Sequence, residues 1–137
     1  MTKIIDKDRF YYNPEFLGSA SGRSVRILSE YYGPLQRMQR KRISDTIVFF
    51  GSARILAREV AQDALDNAPK DSDKQSLKRL KMDLKMSRYY EDARTLAGKF
   101  TKWSKGLKGT KHRYIICSGG GPGIMEASNR GASEAGG

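Results

Sequence analysis

Cysteine and histidine are nearly missing from this sequence: it has one of each, Cys117 and His112. A lone cysteine excludes an internal disulfide and leaves no partner thiol for a zinc site. Cys117 ends an apolar run, which predicts a packing role at the end of a buried strand. His112 sits between Lys111 and Arg113, just ahead of that run, so it is predicted to be a solvated turn residue rather than a catalytic base. Long apolar stretches are also missing. The longest falls far short of the roughly 18 residues that a membrane-spanning helix needs, and the opening MTKIIDKDRF lacks the apolar core of a signal peptide. A cytoplasmic protein with no membrane partner is the expectation. Acidic residues are scarce as well, with 15 Asp and Glu against 26 Lys and Arg, a formal charge of +11. Such an excess attracts phosphates, nucleic acid or anionic surfaces without choosing among them.

What is present suits one α/β domain, since 137 residues and 38% apolar content are enough for a single core. Tyr11, Tyr12 and Pro14 lie in a lead-in arm without a helical or strand period. From Ser21 to about Arg42, Val25, Leu28, Tyr32, Leu35 and Met38 step by three or four, the spacing of one helix face, and Gly33-Pro34 predicts a kink or a break into two helices. Arg37, Arg40, Lys41 and Arg42 form the strongest basic run. Without interleaved aromatics it reads as a solvated helix end, and a nucleic-acid partner is not expected.

The run TIVFF, residues 46–50, is apolar without alternation, as in a strand covered on both faces. A helix is expected over residues 55–68, closed by Pro69, followed by a polar linker to Asp73. Met82, Met86, Tyr89, Ala93, Leu96, Phe100, Trp103 and Leu107 then alternate steps of four and three, which predicts one long amphipathic helix ended by Gly106 and Gly109. YIIC, residues 114–117, is a second buried strand, leading into Ser118, Gly119, Gly120, Gly121, Pro122 and Gly123. A helix should begin near Pro122, with Ile124, Met125, Ser128, Gly131, Ala132 and Ala135 on its inner face and Gly136-Gly137 as its stop. Alternating strands and helices predict a parallel sheet. Two strands are too few for an independently stable sheet, so the expectation is the front part of a longer domain, cut at a turn that leads into a third strand.

Ligands of open parallel sheets bind outside the C-terminal ends of the strands, where Gly51, Ser52, Ala53 and Arg54 and the loop Ser118 to Gly123 both fall. Glycines let backbone N–H groups approach a phosphate, and a helix N-terminus adds its positive dipole end. A tight strand-to-helix turn without a ligand fits the same residues. The spacing is neither a dinucleotide GxGxxG nor a Walker A, so a conventional NAD or ATP site is disfavoured. Arg54 either forks onto a phosphate or caps its own helix region. Glu126 in the first helical turn suits the dipole on structural grounds, and Asn129 and Arg130 read as a surface pair.

At these residues the chain resembles the LOG (Lonely Guy) family of Rossmann-like nucleoside 5′-monophosphate phosphoribohydrolases, often labelled possible lysine decarboxylases. TIVFFGSAR at 46–54, YYEDARTLA at 89–97 and SGGGPGIMEASNRGASEAGG at 118–137 are similar to the family's long bacterial branch in order and spacing. RILSEYYGPLQRMQRKRISD at 26–45 is similar to that branch's helical lead-in. The resemblance implies a lead-in arm over residues 1–44 and, over 45–137, the N-terminal part of a Rossmann-like nucleotide-binding domain. It also implies an N-glycosidase that splits AMP into adenine and ribose 5-phosphate, or activates a cytokinin nucleotide, in a homodimer or larger assembly, without metal or cofactor. Gly51, Ser52, Ala53 and Arg54 match the family's first pocket loop. Gly119, Gly120, Gly121, Pro122, Gly123, Met125 and Glu126 match its second. The family's PGGxGTxxE hallmark, which carries the catalytic Arg and Glu, is not in this sequence. No catalytic residue is therefore assigned, and the piece is expected to be inactive alone. No lysine here stands in a pyridoxal-phosphate context, so the decarboxylase label gains no support. A non-catalytic carrier of a nucleotide or of molybdenum cofactor on the same fold is the alternative.

Overall fold

The computed structural model describes residues 9–109 and 112–137. The first eight residues of the lead-in arm, and Lys111 beside His112, lie outside the described residues. The chain divides into two compact units, with the border between residues 42 and 43.

In the first unit a 3₁₀ turn, Phe10–Tyr12, leads into α1, Pro14–Gly18. Asn13 caps α1 by accepting from the Phe16 N–H at 3.0 Å, and Pro14 occupies the first turn, where a missing amide costs nothing. Helix α2 spans Arg23–Arg40 and contains Pro34. The break predicted at Gly33-Pro34 is absent. One proline removes one intrahelical bond, and the strong helix formers Leu35, Gln36, Arg37 and Met38 on its C-terminal side carry the helix onward. Every residue of α2 is exposed, including its apolar positions.

The second unit is mixed α/β. Strands β1, Thr46–Phe49, and β2, Ile115–Ser118, pair in parallel with Thr46 opposite Ile115 and Phe49 opposite Ser118. Tyr114 lies outside β2 because its φ of 56° is left-handed. His112 is exposed, as expected of a solvated residue, but it is paired rather than in a turn. It bridges to Ile43 and its carbonyl accepts from the Ser44 N–H at 2.8 Å, so the parallel pairing starts earlier than its sequence position suggested. The burial of β1 also departs from expectation: Thr46 and Val48 are exposed while Ile47 and Phe49 are half-buried, so one face of this strand is uncovered.

Three helices separate the strands: α3, Arg58–Asp66, α4, Lys74–Met86, and α5, Arg88–Lys105. Helix α3 starts three residues later than expected, leaving Ile55 in the loop, where it packs against the core. The single long helix is two. Ser87, almost fully buried, turns its hydroxyl onto the Leu84 carbonyl at 2.7 Å, the acceptor that the Arg88 N–H would use in a continuous helix. Helix α4 begins well before Met82, because Asp73 accepts from the Ser76 N–H at 2.6 Å and caps it. That bond holds the Asp73 carboxyl below its ordinary pKa.

Helix α6, Ile124–Glu134, packs along α5. The buried seam of α5 is Tyr90, Ala97 and Thr101, whereas Met82, Tyr89, Leu96 and Trp103 of the predicted stripe remain largely exposed. Close approach explains the difference. Ala127, Ser128 and Gly131 form the facing side of α6, and a Cβ on Gly131 would overlap the Arg94 carbonyl oxygen. Backbones this close admit small residues and push large ones to the flanks. A small cluster of Ala57, Tyr90 and Ala127, flanked by Ile55 and Ala93, ties the loop after β1 to both helices. An ion pair adds to the seam, the Arg94 Nε lying 2.8 Å from Glu134 Oε2. Among the described residues, no helix is long and apolar enough to cross a membrane.

Candidate functional site

The parallel register sends the chain out of β1 at Gly51 and out of β2 at Gly119 from the same end of the sheet. The two loops are joined directly. The first amide of α6, Ile124 N–H, donates to the Ser52 carbonyl at 3.2 Å. Gly123 makes the junction possible: at φ 73° and ψ −127° it occupies a region almost restricted to glycine, and a Cβ there would overlap the Ser52 carbonyl oxygen. Gly51 serves the same contact from the other side, facing the Ile124 side chain without room for a Cβ.

Within the second loop, Ser118 Oγ accepts from the Gly120 N–H at 3.2 Å and donates to Asn129 Oδ1 at 3.0 Å. The loop is thereby pinned to the second turn of α6. Helix α6 begins at Ile124, so Pro122 lies in the loop rather than in the helix's first turn as predicted. The amides of Met125 and Glu126, in that first turn, have no intrahelical acceptor, as at any helix start. Met125 folds its thioether over Gly119 and Gly121. Ser52 Oγ accepts from the Arg54 N–H at 3.2 Å, and the Arg54 guanidinium makes no ion pair among the described residues. The capping role considered for Arg54 is not seen.

An open depression of about 510 Å³ adjoins the second loop, lined by Gly120, Gly121, Pro122, Glu126, Asn129 and Arg130. Of the residues singled out from sequence, Gly120, Gly121, Pro122 and Glu126 line it. Gly51, Ser52, Ala53 and Gly123 build the loop junction, while Ser118, Gly119, Met125 and Arg54 stand around it without lining the depression. A larger groove of about 610 Å³ runs along α4, lined by residues of that helix alone, among them Lys74, Lys78 and Arg79. It has neither a glycine loop nor a second element to shape a ligand, so the depression beside Gly120 is the better candidate.

Tyr90 and Glu59 escaped the sequence reading, and Asn129 and Arg130, expected as a surface pair, both line the depression. Tyr90 is buried to 1% exposure, and its hydroxyl donates to Glu126 Oε1 at 3.1 Å. Arg130 donates to Glu59 Oε1 at 2.7 Å and lies 3.3 Å from Glu134 Oε1. The Tyr90 phenol is raised above its ordinary pKa, chiefly by burial, with Arg130 opposing the shift. Arg130 is raised by Glu59 first and Tyr90 second, so it stays charged. Glu126 and Arg130 are four apart on one helix, a spacing visible in the sequence. Tyr90 left no such signal, since it lies beside the apolar stripe rather than on it. Chemically, the arrangement offers backbone donors at a helix start, one carboxylate held at one oxygen, and a guanidinium whose charge Glu59 and Glu134 already offset. Among the described residues no three Cys, His, Asp or Glu side chains converge as metal ligands would.

No family model, curated protein or solved structure matches this chain.

Proposed function

We propose that the chain is the nucleotide-binding part of a Rossmann-like nucleoside 5′-monophosphate N-glycosidase of the LOG type, with AMP or a related adenine nucleotide as ligand. The observation that carries this reading is the junction of the two glycine loops at one end of adjacent parallel strands, held by Ile124 N–H on the Ser52 carbonyl. That is where open parallel sheets take their ligands, and it joins the two segments through which the sequence resembles the family's pocket loops. Donors at the start of α6 and the Arg54 guanidinium, which makes no ion pair among the described residues, supply positive potential for the phosphate. In the reaction, water adds its hydroxyl to the ribose C1′ as the bond to the base nitrogen breaks, and the base leaves with a proton. An oxocarbenium-like transition state needs a carboxylate close to the ribose or its water, as in glycoside hydrolysis generally. No residue of this chain is assigned that step, which belongs to the family's PGGxGTxxE segment. A homodimer or larger assembly is part of the proposal, and the uncovered face of β1 is one surface available for it.

Titration calorimetry of the chain with AMP, paired with chromatography of free adenine, tests the reading. Saturable binding without adenine release is expected from these residues, and release is expected once the protein includes the PGGxGTxxE segment. Failure of AMP to bind overturns the proposal. Binding without release by a protein that includes that segment favours a carrier over a hydrolase.

A further inference from the structure

Helix α2 keeps its whole apolar face exposed, with Leu28 at 54% and Tyr31 at 65%. Steps of about 100° per residue gather Ile27, Leu28, Tyr31, Tyr32, Leu35 and Met38 onto one half of its circumference. Arg23, Arg26, Arg37 and Arg40 fall on the opposite half, where Glu30 is the helix's one acidic residue, and Lys41 and Arg42 follow directly. Arg23, Arg37 and Arg40 make no ion pair among the described residues. The 18 residues give a rod about 27 Å long whose two sides differ in kind throughout. Its own unit offers it little support, since Gly22 is the one buried residue among the described residues of that unit. A helix draws most of its stability from packing its apolar face, so this face calls for a covering surface.

We infer that α2 lies in the headgroup plane of an anionic lipid bilayer, its apolar half against the acyl chains and its arginines among the headgroup phosphates. Charge complementarity selects this occupant. A second copy of the chain would answer the apolar half alone, and it brings the same arginines and the same formal charge of +11. Nucleic acid would answer the arginines and leave the apolar half in water. An anionic bilayer answers both, because a helix lying in the interface gains from buried apolar area and from cations near the lipid charge together. The tyrosines suit that depth, with an apolar ring below and a hydroxyl toward water. Arginine stems are long enough to lie along the apolar boundary while the guanidinium meets phosphate. The want of a spanning helix does not bear on this mode, which needs a helix in the plane of the surface rather than across it. The inference stands apart from the nucleotide reading, which concerns the other unit of the chain.

The test is flotation of the whole chain with vesicles of phosphatidylcholine alone and of an equal mixture of phosphatidylcholine and phosphatidylglycerol, with helix content followed by circular dichroism. Binding to the mixed vesicles and not to the neutral ones is expected, with helix content rising as lipid is added. Leu28→Gln combined with Leu35→Gln changes two exposed positions to another good helix former and is expected to weaken binding at least tenfold. Arg37→Gln with Arg40→Gln removes two charges from α2 and is expected to weaken it roughly tenfold or more. Lys78→Gln with Lys81→Gln removes the same charge from exposed positions of α4 and is expected to change binding by no more than about twofold. Absence of binding to the mixed vesicles overturns the inference, as does equal binding to both vesicle types. Undiminished binding of the leucine variant, or equal losses in the arginine and lysine variants, reduces the attraction to the chain's overall charge and overturns it too. A chain that sediments as a dimer, becomes a monomer in the leucine variant and ignores vesicles assigns the face to a second copy instead.

Discussion

Replacing Gly123 with alanine challenges the loop junction at its tightest point, and the structure separates two costs. The first is conformational. At φ 73° and ψ −127° an L-residue is strained, by about 1–3 kcal/mol. The second is spatial, because the new Cβ would overlap the Ser52 carbonyl oxygen and lie 3.0 Å from the Ala53 carbonyl carbon. These are backbone atoms that cannot rotate aside, so the loops must part, which adds about 1–3 kcal/mol as overpacking does elsewhere. Gly120→Ala is the control. Its φ is 72°, yet no atom lies within 4 Å of the added Cβ, so only the conformational cost applies. Both variants gain the same small unfolded-state benefit of alanine over glycine, about 0.4–1 kcal/mol, which cancels in the comparison. The expected result is that Gly123→Ala unfolds at lower urea than Gly120→Ala, by a free-energy difference of about 1–3 kcal/mol at equal m-value. Against a total of about 5–15 kcal/mol for a domain, that is readily measured by circular dichroism. Equal midpoints would mean that the two loops do not touch, and the reasoning behind the site would fail.

Three further outcomes are expected. Gly131→Ala places a Cβ onto the Arg94 carbonyl oxygen and forces α5 from α6, which is expected to cost about 3 kcal/mol and appear as a lower thermal midpoint; an unchanged midpoint refutes the close crossing. Arg54→Ala is expected to leave urea stability unchanged, because its guanidinium makes no ion pair among the described residues, while weakening AMP binding by roughly 10- to 100-fold through loss of a charge-assisted contact. Equal AMP affinity in calorimetry would exclude Arg54 from the phosphate. The Glu134 carboxyl is held below its ordinary pKa by Arg94 first and Arg130 last, so its folded value lies beneath the unfolded one. Its stabilisation is full above the ordinary glutamate range, near about pH 4.3, and is lost as pH falls through the lower folded value. Glu134→Gln is expected to flatten that acid limb in urea titrations at successive pH values, and an identical pH dependence in the variant contradicts the pairing.

Local signals carried far in this chain. TIVFF and YIIC were legible as strands because β-branched and aromatic runs bounded by glycine have few other uses; the first ends one residue early and the second is shifted by one residue. Gly106 and Gly136 end helices where a C-terminal glycine would be placed. The break at Ser87 was hidden because its backbone stays near helical values, so the apolar period runs through it unbroken. The choice of a serine hydroxyl over an amide for the Leu84 carbonyl leaves no periodic trace.

Residue type and order alone therefore determined where the two strands, the glycine loops that follow them and the small-residue helix α6 lie along the chain, since each follows from bonds or sterics within a few neighbours. Which face of α5 is buried was decided only when α6 came close enough for Gly131 to meet the Arg94 backbone, excluding the large side chains that sequence periodicity had favoured. The same packing brought Tyr90 to Glu126 and Glu59 to Arg130, across 36 and 71 positions of chain. Partners so distant in sequence meet through the summed geometry of every element between them, and no local pattern encodes that sum.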